Sequence, residues 1–444
     1  MLRRPVVSVG LATLATVLVA CGSASPPVPT SGTAPVRTPT SGTSRTTTGT
    51  IDGATPSATQ STTTGTTPGS TQGTTPAPTD PATAAPATPA DPASTSSCAD
   101  VVARMSLAEQ VGQVIMVAQS STRPSTSGQQ TIRRLHLGSV VLLGASAQGR
   151  TATARLTTAL RHHTGTVDGV GLLVSADQEG GLVQRLQGPG FDTIASARTQ
   201  AGWSDRTLRR RAGRWSDQLD GAGIDLNLAP VADVVPTSVG RGNAPIGALD
   251  RGYGPDPAVV ARKTVAVVEG MHAGGTATTS KHFPGLGRVR GNTDTTARVV
   301  DRWTTRHDAL LAGFRADVAH GTEVVMISSA TYTRIDAAHP ATYSATLVGG
   351  MLRHDLGFDG VVVSDDLLGK ALASTTVHSR GVRFLTAGGD LALVGSTSAA
   401  VQVRDGLLDR ARADEAFRAR VRQSATRVVE LKSSEHRASC RVSG

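Results

Sequence analysis

The feature that most constrains this 444-residue chain is a repeat: short, apolar, β-rich runs alternate with longer amphipathic segments. The runs are VIMV at 114–117, VVLL at 140–143, LLVSA at 172–176, LNLAPV at 226–231, ATTS at 277–280, VVMIS at 324–328, VVVS at 361–364 and LALV at 391–394. The fifth is weakly apolar and is included because the spacing requires a strand there. Between the runs lie helical patterns such as PAVVARKTVAVVEGMHAGG from Pro257 and TTRHDALLAGFRADVAHG from Thr304, each closed by glycine. Continuous apolar strands are buried on both faces, and strands separated by helices pair in parallel. Eight such units predict an α/β fold, a closed (β/α)8 barrel of the TIM type, with an open doubly wound sheet as the alternative.

Polar residues fall where such a barrel places its chemistry, at the C-terminal strand ends. The third run leads into Asp177-Gln178-Glu179-Gly180-Gly181, the fourth into Ala232-Asp233, the fifth into Lys281-His282-Phe283-Pro284-Gly285, and the seventh into Asp365-Asp366. One acid after a strand can be no more than a helix N-cap. Four polar clusters on one rim are poorly explained that way. No GxGxxG follows the first run and no Walker or GxSxG sequence occurs, so no nucleotide or other cofactor is expected. His162 and His163 would point about 100° apart on a helix and have no carboxylate partner motif, which reads as a solvated helix end and not as a metal site.

The formal charge of +10 comes from 44 Lys and Arg against 34 Asp and Glu, almost all of it arginine scattered singly with no aromatic interleaving. Nucleic-acid binding is not expected from that pattern. Beyond the first twenty residues no apolar run approaches the roughly 18 residues needed to cross a bilayer, which excludes a polytopic membrane protein.

The N-terminus has its own logic. Residues 1–20 have the order of an export signal, with Arg3 and Arg4 ahead of an apolar stretch, and Leu18-Val19-Ala20-Cys21 matches the lipobox in which the cysteine is lipidated. Residues 21–97 are rich in Thr, Ser, Pro, Ala and Gly, with only Arg37, Arg45, Asp52, Asp80 and Asp91 charged. Such a segment cannot bury enough surface to offset its ordering entropy and is expected to be a disordered tether. These features predict a protein exported and lipid-anchored through Cys21 to the outer face of a bacterial cell membrane. The barrel domain is then 98–444, with Cys98 and Cys440 at its extremities, an even pair expected to form a disulfide in an oxidising compartment.

At the strand ends the chain resembles family 3 of the glycoside hydrolases, specifically the single-domain bacterial β-N-acetylhexosaminidases. The resemblance rests on MSLAEQVGQVIMV at 105–117, DQEGGLVQRLQGPGF at 177–191, IGALDRGYGPDP at 246–257, KHFPGLG at 281–287 and FDGVVVSDDL at 358–367. It implies a retaining, exo-acting enzyme on terminal N-acetylglucosaminides of peptidoglycan fragments or glycoconjugates, with a β-glucosidase, a glycoside phosphorylase or a non-catalytic sugar-binding lipoprotein as alternatives. By this likeness Asp365 is the nucleophile, and Asp177, Arg185, Arg251, Lys281 and His282 hold the sugar hydroxyls. A retaining glycosidase pairs an ionised carboxylate with a proton donor about 5–5.5 Å away. Lys281 and Arg251 are expected to favour the charged form of Asp365.

The sequence departs from the family at one place. The family carries an Asp-Ser-His triplet whose histidine is the acid/base, and the aligned positions here are Asn292, Thr293 and Asp294, with Leu286 replacing an earlier histidine. Either Asp294 donates the proton or another group does. An inserted Ala248-Leu249 precedes Asp250-Arg251 and loosens the Arg251 assignment.

Overall fold

The computed structural model describes residues 96–442. The expected export signal, the lipidation at Cys21 and nearly all of the 21–97 tether lie outside the described residues. Ser96 and Ser97, on the tether side of the expected boundary, are already engaged: Arg441 N–H donates to the Ser96 carbonyl at 3.0 Å, and the Ser97 side chain caps the first helix.

Eight strands form one parallel sheet: β1 Ile115–Ser120, β2 Ser139–Leu143, β3 Leu173–Ala176, β4 Leu226–Asn227, β5 Ala277–Phe283, β6 Val324–Ile327, β7 Val361–Ser364 and β8 Ala392–Val394. The sheet runs β7-β6-β5-β4-β3-β2-β1-β8, and a parallel bridge from Val363 to Leu391 joins its two ends. The sheet is therefore a barrel and not an open doubly wound one. Alternate residues face in: Met116, Val141, Leu173, Leu226, Met326, Val363 and Leu393 fill the barrel, while Ile115, Val117, Val140 and Val174 belong to the separate core under the helices. Both faces of each strand are buried, which is why these runs read as continuous apolar stretches.

The weak fifth run is the longest strand. Two of its polar side chains find partners on the neighbouring segment, Thr278 Oγ1 bonding Thr322 Oγ1 and Glu323 Oε2 and Ser280 Oγ donating to Asp317 at 2.6 Å, while the buried Thr279 hydroxyl has none among the described residues. It continues through Lys281 and His282, so both are strand residues. The fourth run is shorter than the apolar stretch that announced it, because Pro230 has no N–H to contribute to a ladder.

Helices wrap the sheet: α1 Cys98–Arg104, α2 Leu107–Gln113, α3 Thr126–Leu135, α4 Arg150–Thr164, α5 Asp205–Asp220, α6 Pro257–Ala273, α7 Ala312–Ala319, α8 Val377–Thr386, α9 Thr397–Ala413 and α10 Glu415–Ser434. Asp256 caps α6, with Pro257 at its first position, as the pattern predicts. The helix expected from Thr304 starts only after a short 3-10 turn. Residues 304–308 are held instead in an irregular turn, where Asp301 accepts from the Thr304 N–H and hydroxyl and Arg288 pairs with Asp308. His162 and His163 lie exposed in the last turn of α4. The two ends of the domain meet: α10 packs on α1 and α2, places Val428 and Leu431 against the barrel interior, and is followed by Cys440, bonded to Cys98 with 4.9 Å between the Cα atoms.

Candidate active site

A cavity of about 380 Å³ opens at the C-terminal end of the barrel. Its floor is the upper layer of the barrel interior, Val141, Leu228, Met326 and Leu393. All seven residues expected for catalysis and sugar binding line it: Asp177, Arg185, Arg251, Lys281, His282, Asp294 and Asp365.

The segment after β3 is a tight hairpin, Gln178–Gly180 against Val183–Gln184, whose turn uses φ of 105° at Gly180 and 56° at Gly181. A Cβ on Gly180 would lie 2.3 Å from the Ala195 carbonyl oxygen, so the DQEGG sequence needs glycine for fit as well as for conformation. The hairpin brings Arg185 back beside Asp177, whose carbonyl accepts from the Arg185 N–H at 3.2 Å. Arg185 Nε is buried and has no hydrogen-bond partner among the described residues, so a donor is held ready beside the cavity. Arg251 follows a 3-10 turn, Gly247–Leu249, that contains the inserted residues and puts Leu249 on the cavity wall.

Four of the charged groups form one chain. Lys281 Nζ lies 2.7 Å from Asp177 Oδ1 and 2.7 Å from Glu179 Oε1, while Arg251 grips Glu179 through Nε at 2.8 Å and Nη2 at 2.7 Å. Burial works against the charge on Glu179, but Arg251 and then Lys281 override it and hold the carboxyl far below the usual range. Burial likewise opposes the charge on Lys281, and Asp177 and Glu179 more than compensate. A second pair lies alongside: His282 Nδ1 meets Asp233 Oδ2 at 2.8 Å, and Asp233 Oδ1 accepts the Leu286 N–H at 2.6 Å. With Nδ1–H donating to Asp233, Nε2 remains for the cavity.

Asp365 ends β7, where its N–H donates to the Ile327 carbonyl at 3.0 Å and its Oδ1 accepts from Asp366 N–H at 2.9 Å. Its pKa is raised, first by burial and then by the charge of Asp294, with His282 and Lys281 pulling the other way. Lys281 thus favours the charged form as expected, but burial and the charge of Asp294 outweigh it, and both Lys281 and Arg251 are engaged with acids of their own, Asp177 and Glu179. Asp294 sits at the cavity mouth on a loop docked to the segment after Asp365: Lys370 N–H donates to the Asp294 carbonyl at 3.1 Å, and Ala371 N–H to that of Thr293 at 3.0 Å. The residue remains exposed at the surface, and partial desolvation beside the cavity raises its pKa, with Asp366 and Asp177 adding and His282 and Arg251 opposing.

Sequence reasoning singled out neither Glu179 nor Asp366 for the site. Glu179 was visible only as one letter of a strand-end motif, since nothing in the spacing said that Arg251, 72 residues on, would close onto it. Asp366 lines the cavity and accepts the N–H groups of Leu368 and Gly395, both at 2.9 Å, so it caps the turn and ties the end of β7 to that of β8. Among the described residues no group of three or more His, Cys, Asp or Glu is placed to hold a metal ion.

Known proteins place this geometry. Over 230 residues the chain is 37% identical to a β-hexosaminidase of Stenotrophomonas maltophilia, a match that spans 50% of this chain and 66% of that protein, just under two thirds. A β-hexosaminidase of Xanthomonas oryzae is 32% identical over 290 residues, 63% of this chain and 83% of that one. The crystal structure of a β-N-acetylhexosaminidase from Beutenbergia cavernae superposes with a TM-score of 0.72 at 41% identity, covering 74% of this chain and 99% of the other. Residues 106–431 match the glycosyl hydrolase family 3 N terminal domain, and with nearly the whole barrel inside that match the chain belongs to glycosyl hydrolase family 3.

Proposed function

We propose that the protein is a retaining, exo-acting β-N-acetylhexosaminidase that hydrolyses terminal N-acetylglucosamine from glycans. The observation that carries this reading is the convergence of Asp365, Asp294 and the five sugar-binding side chains on one cavity closed below by the barrel core. A floored pocket admits the end of a glycan, whereas a through-running groove would admit its middle.

In the first step a carboxylate oxygen of Asp365 attacks the anomeric carbon as the glycosidic C–O bond breaks, and Asp294, protonated, gives its proton to the leaving oxygen. In the second, Asp294 as carboxylate takes a proton from water, which attacks the anomeric carbon and releases Asp365. The raised pKa of Asp294 suits the acid of the first step. The two carboxyls titrate as a pair, so protonating Asp294 removes the charge that burdens Asp365 and lets Asp365 ionise. Lys281 has three N–H groups and spends two on Asp177 and Glu179, which leaves one for a hydroxyl. Hydrolysis is favoured over phosphorolysis because an anionic Asp294 repels phosphate and does not repel water.

We place the enzyme on the outer face of a cell membrane, lipidated at Cys21, acting on peptidoglycan fragments or envelope glycoconjugates; the lipobox and export signal support this. A Cys21→Ala protein should leave the membrane fraction. The chemistry is tested by NMR of the first-formed sugar: the β-anomer supports the double displacement, and the α-anomer rules it out.

A further inference from the structure

On that reading of the site, we infer that Glu179 is a positioning residue: it holds Lys281 and Arg251 as a rigid pair of donors and keeps their positive charge away from Asp365. Its side chain is 4% exposed and the donors converge on it from two directions, Lys281 from β5 and Arg251 from the excursion between β4 and β5. Glu179 Oε1 accepts from both Lys281 Nζ and Arg251 Nη2 at 2.7 Å, and Oε2 accepts Arg251 Nε at 2.8 Å. Arg251 is fixed at its remaining corner by the Pro245 carbonyl, which accepts from Nη1 at 2.8 Å. The guanidinium is thus clamped on three sides with one N–H of Nη1 and one of Nη2 left over, and the ammonium with one.

Two consequences follow. The spare donors are aimed before substrate arrives, so little rotamer entropy remains to be lost by two side chains that otherwise carry much of it. The cations are also neutralised within the chain Asp177–Lys281–Glu179–Arg251 and do not pair with the carboxylates that do the chemistry. Asp365 is faced by Asp294 and Asp366, which repel its charge, and by His282 and Lys281, which favour it. Without the charge on Glu179, Lys281 would favour ionised Asp365 more strongly.

The test is Glu179→Gln and Glu179→Asp in the full chain, with kinetics on a chromogenic N-acetylglucosaminide across pH and N-acetylglucosamine affinity by calorimetry. E179Q sets an amide N–H against an Arg251 N–H, so kcat/KM and sugar affinity should fall by about 10²-fold, the size of effect produced by misplacing binding groups by an ångström. The acidic limb of kcat/KM should move to lower pH, because Asp365 ionises more easily. E179D keeps the charge at shorter reach: it should retain the wild-type acidic limb and lose affinity less severely than E179Q. An E179Q protein with wild-type affinity and an unmoved acidic limb overturns the inference. If E179Q does not fold, E179D decides alone, since wild-type affinity in that variant would show that the clamp distance is immaterial and a loss of affinity with the limb unmoved would support it. If the wild-type protein cleaves no N-acetylglucosaminide, the functional reading has failed, and the sugar-affinity arm still tests the clamp.

Discussion

Asp294 and Asp365 reach one cavity from two different loops, and the charge of Asp294 is, after burial, the largest influence raising the Asp365 pKa. Two interacting carboxyls with displaced pKa values are what a double-displacement glycosidase needs, one to stay protonated and one to ionise. Here the partner of Asp365 is a second aspartate.

Asp294→Asn should therefore slow glycosides with poor leaving groups by about 10²–10⁴-fold, the usual range for general acid catalysis, and aryl glycosides with good leaving groups far less in their first step. Azide should restore part of the turnover of activated substrates. As the proposed acid must be protonated and its pKa is raised, Asp294 is expected to set the basic limb of kcat/KM, and the variant should lose that limb. Equal losses for good and poor leaving groups, with no azide rescue, would mean that Asp294 only anchors its loop.

Asp365→Ala should show no turnover above background while its thermal unfolding stays close to wild type. The side chain accepts one local hydrogen bond, from Asp366 N–H, so little structure depends on it. A fluorosugar inactivator should label Asp365 in the wild-type protein. Mass-spectrometric mapping of the adduct to another residue would reassign the nucleophile.

Removing a buried charge below the barrel should stabilise the fold. Lys432 is fully buried, donates to Gln113 Oε1 at 2.6 Å, and burial takes its pKa from 10.5 to about 7 against a small opposing effect of Asp225. Between those values the unfolded chain holds a proton that the folded one does not, so stability rises with pH across that window. Lys432→Met should gain ~1–3 kcal/mol at pH 6, where the penalty is complete and part of it is offset by leaving Gln113 unpaired. The gain should shrink above pH 7 and reverse before pH 10.5, where the charge penalty is gone and only the loss of the Gln113 bond remains. Denaturant melts at pH 6 and pH 9 measure it, and an equal gain at both would assign it to packing instead.

Much of the barrel was legible because its strands are buried on both faces and carry that burial as apolar runs. β5 nearly escaped notice, since Thr278 and Ser280 satisfy their hydroxyls on Thr322, Glu323 and Asp317, residues from another part of the chain that no local pattern reveals. The cavity residues were legible as strand-end clusters and family motifs. Their pairing was not: Lys281 meets Asp177 across 104 residues, and which acid takes which cation is a property of the closed barrel. Lys281 favours the charge on Asp365 as expected, but that Glu179 would take both Lys281 and Arg251 as ion-pair partners was not legible.

Specificity for a terminal N-acetylhexosamine is measured most directly by comparing kcat/KM for the 4-nitrophenyl β-glycosides of N-acetylglucosamine and glucose on one preparation. Clear turnover of the N-acetylglucosaminide and a lower kcat/KM for the glucoside are expected. A glucoside cleaved as well or better, or no cleavage of either, would contradict that specificity.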